Sequence, residues 1–542
     1  MKSFFNKLED KVSSFSQEFL VHDSKAQQPI QQQHQSSTIL PPTPDDVFRY
    51  RYHHGTNLGS VFVLEKWLSG HMFLPSSNGD SELDAVTASV KERGIDETRR
   101  IWEDFWKSAV TDDDWEWLKT SARCTSIRLP VGWWIMGGPD LPQRLHGTAW
   151  DGLEGVYCNA WAIVRELVAT AHHHGIGVLV DLHGLPGGAN GEAHSGTSSG
   201  TADLWGDKKN LELAKCALHF MASEIRNGMQ GVAGLQIVNE SVYDAKGMYE
   251  FYDQAIDIIG SVDESIPIYV SDGWDLPRCL GWTGSRNPNT SRRCPIVIDT
   301  HRYFTFSDKD RSQSPQEIID RIPEELAEVN PGGVCDHGEA QVVIGEWSNV
   351  LDGQTWSRSN PDAKDALVHA FGQAESHQWH AKSGGSFFWT WKMDWMDGGE
   401  WGFVEQTKRD NIFIPPFLFF PPQEIQARLQ HAHQRRGLLS QQARGGHEGY
   451  WNQASPGQPF EHHLFSEGWE VGFSDAAVFF GARVEGKIGG GCGGCGGGDR
   501  IGCVEIWVKK RLLESGLRGK FTWEWEQGLR AGIQGFEQCV GI

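Results

Sequence analysis

Eight short apolar runs, each closing on polar side chains and each followed by a stretch of helical periodicity, constrain this chain more than any other feature. They span residues 54–58, 125–130, 177–183, 234–240, 268–272, 296–303, 342–347 and 386–391. Strands apolar on both faces are buried on both faces, as in a parallel sheet covered by its crossover helices. Eight strand–helix units close into an α/β (β/α)8 TIM barrel, whose active sites sit at the strand C-terminal ends. Those ends carry Arg128, Asp181 and His183, Asn239 and Glu240, His301 and Tyr303, Glu346, and Trp389 and Trp391. Each alone is an ordinary strand end, but on successive strands they line one mouth. Glu240 and Glu346, on the fourth and seventh strands, face across it, and a carboxyl pair flanking one bond is what glycosidic cleavage requires.

The barrel is expected over residues 47–410. Before it, residues 1–46 form a tail, rich in Gln, Ser and Pro in its second half and expected to be disordered there. Its first part places Phe4, Leu8, Val12, Phe15 and Phe19 at helical spacing, an amphipathic segment whose Lys are offset by Glu9, Asp10 and Glu18. No uninterrupted apolar stretch of the secretory type opens the chain, so a cytoplasmic or non-classically secreted protein is expected. After the barrel, Pro415, Pro416, Pro421 and Pro422 mark a boundary. Residues 415–542 read as a helical C-terminal extension interrupted by a Gly-rich loop at 489–498, with helices available for protein contacts. Within it Gly468, Gly472 and Gly481 recur as Gly528, Gly532 and Gly541, and Gly-x-x-x-Gly on a helix face permits close helix crossing.

Composition narrows the partners. Against 49 Lys+Arg stand 71 Asp+Glu, a net charge of −22 that repels nucleic-acid phosphate and anionic lipid and leaves a neutral substrate. No apolar run approaches the roughly 18 residues of a transmembrane segment. The 24 Trp supply cores or sugar-stacking faces. Metal and cofactor are not expected. His172, His173 and His174 read as cations in a last helical turn before Gly175, and Thr111 with Asp112, Asp113 and Asp114 as a helix cap with acids in its first turn. Cys492 and Cys495, in a glycine loop, lack the second pair of a zinc site.

The stretches His54-Gly-Thr-Asn-Leu-Gly with Glu65-Lys-Trp67, Ile127-Arg-Leu-Pro-Val-Gly-Trp133, Asp181-Leu-His-Gly-Leu-Pro-Gly187 with Asn190-Gly191, Val238-Asn-Glu-Ser241, His301-Arg-Tyr303, Ile344-Gly-Glu-Trp-Ser348 and Phe388-Trp-Thr-Trp-Lys392 occur in one order over residues 54–403. In these the chain resembles glycoside hydrolase family 5, most closely its fungal exo-β-1,3-glucanases (glucan 1,3-β-glucosidases). The C-terminal extension lies outside the resemblance.

The resemblance implies a retaining double displacement on a neutral β-glucan, oligosaccharide or glucoside, with Glu240 as acid/base and Glu346 as nucleophile. By it Asn239 donates to the sugar 2-hydroxyl, Glu65, Arg128, His183, His301 and Tyr303 bind sugar or brace carboxylates, and Trp389, with Trp391 two residues on, offers the stacking platform. Trp67, Trp133 and Trp347 are likewise expected near the mouth, and Trp469, Trp507, Trp523 and Trp525 in the core of the extension. Departures are Ser241 where the family has proline, and Glu192 and Ala193 where the glucanases carry an aromatic and an acid. The aromatic is one half of a clamp whose other half corresponds to Phe306. Rival readings are a β-glucosidase acting on a lipid or other aglycone, and a catalytically weak carbohydrate-binding scaffold. A metal-dependent barrel hydrolase fits worst, since no His-x-His pair ends a strand.

Overall fold

The structure, a computed structural model, describes residues 39–286, 294–329, 333–338, 340–395, 397–489 and 496–542. The amphipathic N-terminal segment, Cys492 and Cys495 lie outside the described residues. Eight strands follow the apolar runs: β1 (His53–Asn57), β2 (Ser126–Gly132), β3 (Gly177–Gly184), β4 (Val232–Gln236), β5 (Ile268–Ser271), β6 (Ile296–Arg302), β7 (Gln341–Trp347) and β8 (Gly385–Phe388). They pair in chain order, all parallel, and β8 returns to β1 to close the (β/α)8 barrel. Two stop three or more residues short of their apolar runs. β4 ends at Gln236 and β8 at Phe388, so Asn239, Glu240 and Trp389 stand on the loops beyond. Glu240 lies in left-handed backbone space, φ 42°, which costs a non-glycine residue about 1–3 kcal/mol.

The covering helices carry the caps their sequences announce. Asp114 N–H donates to Thr111 Oγ1 (3.3 Å) and Thr111 N–H to Asp114 Oδ2 (2.9 Å), a capping box. His172 and His173 end the Ala160–His173 helix ahead of Gly175. Among the described residues no helix is long and apolar enough to cross a membrane.

At the N-terminal ends of the strands the barrel has a floor supplied from both ends of the described chain. Inward-facing Leu179, Tyr269, Val297, Val343 and Phe387 share one buried cluster with Val47, Phe48 and Tyr50 of the Pro44–Tyr50 helix and with Phe479, Trp507 and Phe536 of the C-terminal helices. Main-chain bonds stitch the seam: Tyr52 N–H donates to Arg500 O (3.0 Å) and Gly502 N–H to Tyr50 O (3.0 Å). The buried Glu526 carboxylate accepts the N–H groups of Val334 (2.8 Å) and Cys335 (2.9 Å).

Among the described residues the extension has four α-helices: Pro422–Ala454, His462–Gly481, Val504–Ser515 and Thr522–Val540. The second and fourth cross through their paired glycines. A Cβ at Gly468 would overlap Trp525 O, at Gly472 Leu529 O, at Gly528 Phe465 O and at Gly532 Trp469 O. Each helix thus rests backbone to backbone on the other. Trp469, Trp507 and Trp525 are buried there, with Trp523 partly so.

Candidate active site

The mouth is organised around a buried guanidinium. Arg128, on β2, is fully buried inside the barrel, where every polar atom must find a partner. Its Nη1 donates to Glu346 Oε1 (2.9 Å) and Asn57 Oδ1 (2.8 Å), its Nη2 to Asn239 Oδ1 (2.7 Å), and its Nε to Gln236 Oε1 (2.9 Å). Asp181 Oδ2 lies 3.0 Å from Nη2. Burial alone would lower the guanidinium pKa, but Asp181, Glu346 and Asp299 outweigh it and raise it.

Glu346, next to last in β7, lies beside His301 of β6, the pair being in register after a shift at Thr300/His301. Its other oxygen, Oε2, accepts the Tyr303 hydroxyl (2.8 Å) and lies 3.5 Å from His301 Nδ1. Gly345 is required there, because a Cβ would overlap the Asp299 carboxylate.

Glu240 sits opposite. His301 Nδ1 is 2.8 Å from its Oε1, and His301 Nε2 is 3.0 Å from Asp299 Oδ2. Oxygens of Glu240 and Glu346 and a nitrogen of His301 all lie within 4.8 Å of one another. Burial pulls the His301 pKa down, yet the carboxylates of Glu346 and Asp299 drive it well above the usual imidazole value. Burial pushes the Glu240 carboxyl up, and the His301 hydrogen bond and charge overcome this and hold it at about 2. His301 Nδ1 and Glu240 Oε1 are thus within reach of one shared proton.

Around this pair stand most of the residues expected from sequence. Asn239 gives its Oδ1 to Arg128, which leaves Nδ2 as a donor, 3.4 Å from His183 Nε2. His183 is oriented by Asp181 (2.7 Å) and stacks with Trp389, ring centroids 6.0 Å apart and planes 11° from parallel. Glu65 is buried and accepts the Trp67 indole N–H (2.8 Å). Its carboxyl is pushed up by burial, partly offset by His194 and His183. Phe306 is exposed beside Tyr303, centroids 5.5 Å apart.

Trp391 is the exception. It packs against Trp117 and Phe403 in the layer between strands and helices, away from Trp389 and the mouth. The two-residue alternation expected to carry it to the mouth ends with β8 at Phe388. Trp133 and Trp347 are buried in the same outer core, Trp347 edge-on to Phe388.

Several residues at the mouth had no place in the sequence reading. Asp299 was legible, two positions before His301 on the same strand face, and so was Gln236 in the run before Glu240. His194, whose Nε2 is 3.3 Å from Glu240 Oε2, comes from the loop after β3. Trp274, edge-on to His301, and Trp401, beside Tyr303 and Trp67, also lie on loops, and no periodic pattern marks them.

Residues 432–540 match the family described as the glucan 1,3-beta-glucosidase 3 C-terminal domain. A Saccharomyces cerevisiae protein described as an uncharacterized glycosyl hydrolase is 31% identical over 524 residues, 93% of this chain and 96% of the relative. The Schizosaccharomyces pombe glucan 1,3-beta-glucosidase 3 is 31% identical over 490 residues, 90% of this chain and 95% of that one. Among solved structures the Aspergillus niger rutinosidase covers 67% of this chain and 98% of its own, with TM-score 0.53 at 18% identity, a likeness of fold. At that identity across nine-tenths of its length, C-terminal region included, the chain belongs to glycoside hydrolase family 5, with the fungal glucan 1,3-beta-glucosidases, and is a glycoside hydrolase.

Proposed function

We propose that the protein is a retaining β-glucosidase of the exo-β-1,3-glucanase type, acting at the non-reducing end of a neutral β-glucan or oligosaccharide, with Glu346 as nucleophile and Glu240 as acid/base. The observation that carries this is the carboxyl pair, its oxygens within 4.8 Å. A contact that close, one oxygen of each carboxyl, supports the short spacing of a retaining pair, about 5–5.5 Å, over the roughly 6.5–9.5 Å of an inverting one.

Glu346 attacks the anomeric carbon as the glycosidic bond breaks, its electron pair leaving with the departing oxygen, which takes a proton from Glu240. The charge of Glu346 is the foremost influence raising the His301 pKa. As that charge is consumed in the new C–O bond, the imidazole releases its proton toward Glu240, so nucleophilic attack and acid catalysis are coupled through one ring. Glu240, then ionised, takes a proton from the water that hydrolyses the glycosyl-enzyme. Asn239 Nδ2 is the donor placed to meet the sugar 2-hydroxyl, and Trp389 the face placed under the ring.

A second reading, a glucoside with an apolar or aromatic aglycone, is favoured by the exposed rings at the rim: Trp67 (42%), Tyr243 (67%), Trp274 (51%) and Phe306 (60%), on the loops after β1, β4, β5 and β6. Both are tested by offering laminari-oligosaccharides, aryl glucosides and steryl or ceramide glucosides, and by following the product anomer by NMR. β-Glucose released first from a laminari-oligosaccharide, with activity abolished in Glu346→Gln, is expected. α-Glucose first, or equal turnover by the variant, refutes the mechanism. Turnover confined to the hydrophobic glucosides selects the second reading.

A further inference from the structure

Three side chains of the metal-ligating kind meet in the C-terminal extension, one from each of three helices. His447 lies near the end of Pro422–Ala454, His462 at the start of His462–Gly481 and Glu524 in the first turn of Thr522–Val540. His447 Nε2 is 2.9 Å from Glu524 Oε2, and His462 Nδ1 is 2.9 Å from the same oxygen. The three atoms all lie within 4.8 Å of one another. Glu524 is fully buried, and among the described residues the basic side chains beside it are these two rings, with no Lys or Arg. Its Oε1 accepts the Glu461 N–H (2.8 Å), a neutral donor. Buried carboxylates are balanced by a paired charge or by a metal. Burial lowers the His447 pKa, so that ring brings no charge of its own at neutral pH.

Both rings are clamped in place. Phe465 stacks on His447, centroids 4.1 Å apart and planes 17° from parallel, and Phe460 on His462, 5.3 Å apart and 24° from parallel. Asn452 Oδ1 stands 3.4 Å from His462 Nε2, placed to accept its N–H when Nδ1 is the ligand, as outer carbonyls orient metal-bound imidazoles. His462 is only partly buried, which leaves a way in.

We propose that His447, His462 and Glu524 bind a divalent transition-metal ion, zinc by preference, which staples three helices of the extension together. Two imidazoles and a carboxylate are a ligand set that suits zinc. A tetrahedral ion about 2.0–2.1 Å from each ligand sets the ligand atoms roughly 3.3 Å apart, so the 2.9 Å contacts need open by only roughly 0.4 Å. Binding leaves the single proton of each ring on its far nitrogen, and water fills the fourth position. The site is independent of the mouth, none of whose residues takes part.

The test uses the full chain without a histidine tag, stripped with chelator, dialysed against zinc and freed of the excess. The wild type is expected to keep one zinc per chain by elemental analysis and to gain a few degrees in Tm. His462→Gln and Glu524→Gln are each expected to bind zinc at least roughly 100-fold more weakly and to lose that gain. Glu346→Gln, which alters the His and Glu cluster of the mouth, is expected to keep both. Cobalt carries the same test should the extension variants not fold: wild type and Glu346→Gln are both expected to give an intense tetrahedral spectrum that one equivalent of zinc abolishes. No zinc retained by the wild type, zinc retained equally by the extension variants, or zinc lost from Glu346→Gln overturns the proposal. A weak octahedral cobalt spectrum, or a tetrahedral one missing from Glu346→Gln, does the same.

Discussion

The crossing of the two glycine-bearing helices makes a quantitative demand on stability. A Cβ at Gly472 would overlap the Leu529 carbonyl oxygen and stand 2.9 Å from its carbon and 3.1 Å from Ile533 N. All three are backbone atoms of a helix and cannot swing aside, so in Gly472→Ala the helices must part by roughly 1 Å to regain van der Waals distance. Overpacking of this kind costs about 1–3 kcal/mol, set here toward the upper end, while replacing glycine by alanine inside a helix returns about 1 kcal/mol. The net expectation is a loss of about 1–2 kcal/mol, a fall in Tm of a few degrees. Gly437, in the Pro422–Ala454 helix with open space at its Cβ, is the internal control: Gly437→Ala is expected to raise Tm. The assay is thermal unfolding followed by tryptophan fluorescence and by residual glucosidase activity. Because barrel floor and extension share one core, both signals are expected to fall together. A Tm raised or unchanged in Gly472→Ala would refute the close crossing. Activity that outlasts the fluorescence transition would refute the shared core.

Other expectations concern the mouth and the buried histidines. Tyr303→Phe removes the hydroxyl that donates to Glu346 Oε2, a hydrogen bond to a charged group worth about 1.5–3 kcal/mol, so kcat/KM is expected to fall roughly 10- to 100-fold with little change in Tm. Trp389→Ala is expected to lower kcat/KM by about tenfold or more through lost stacking, whereas Trp391→Phe, altering only the outer core, is expected to lower Tm and leave KM unchanged; the reverse pattern would return Trp391 to the site. His53 and His54 are fully buried, and burial lowers their pKa to about 3 and about 4. The unfolded chain binds those protons near pH 6.5 and the folded chain does not, so their contribution is intact above about 6.5 and declines as the pH falls from there toward 4 and 3, by about 1.4 kcal/mol per pH unit for each ring. Tm measured from pH 7.5 to 4.5 should fall on the acid side, and less steeply in His54→Gln.

The barrel was legible because parallel strands buried on both faces write themselves as continuous apolar runs, and because a polar residue ending such a run has only the mouth to occupy. Arg128, Glu240, His301 and Glu346, each read as the polar end of such a run, do come together at one mouth, and Asp299 and Gln236 were within reach of the same alternation; the roles of the two Glu came from the family resemblance. Alternation also produced the error at Trp391, since its rule ends where the strand does and β8 gives way at Phe388. His194, Trp274 and Trp401 were out of reach for a different reason. Loops carry no period, and their side chains are placed by hydrogen bonds such as those of Asn190, whose partners are distant in sequence. The glycines displaced by sixty positions announced a close crossing, but nothing in their spacing said that the crossed helices would close the bottom of the barrel.

That floor has a consequence for the order in which the protein is made. β8 is complete at Phe388, yet Leu179, Tyr269, Val297, Val343 and Phe387 share their buried cluster with side chains as late as Phe536 and Val540. At about 5–20 residues per second, roughly 8–30 s pass between synthesis of the last strand and of the last helix that covers it. During that interval a nascent barrel presents an apolar underside to the ribosome surface and to chaperones. Completion of the fold is therefore expected to follow translation rather than accompany it. Chains stalled near residue 420 should be digested by protease within the barrel, while full-length chains released from the ribosome resist it, and equal resistance in both would show that the strands close without their floor.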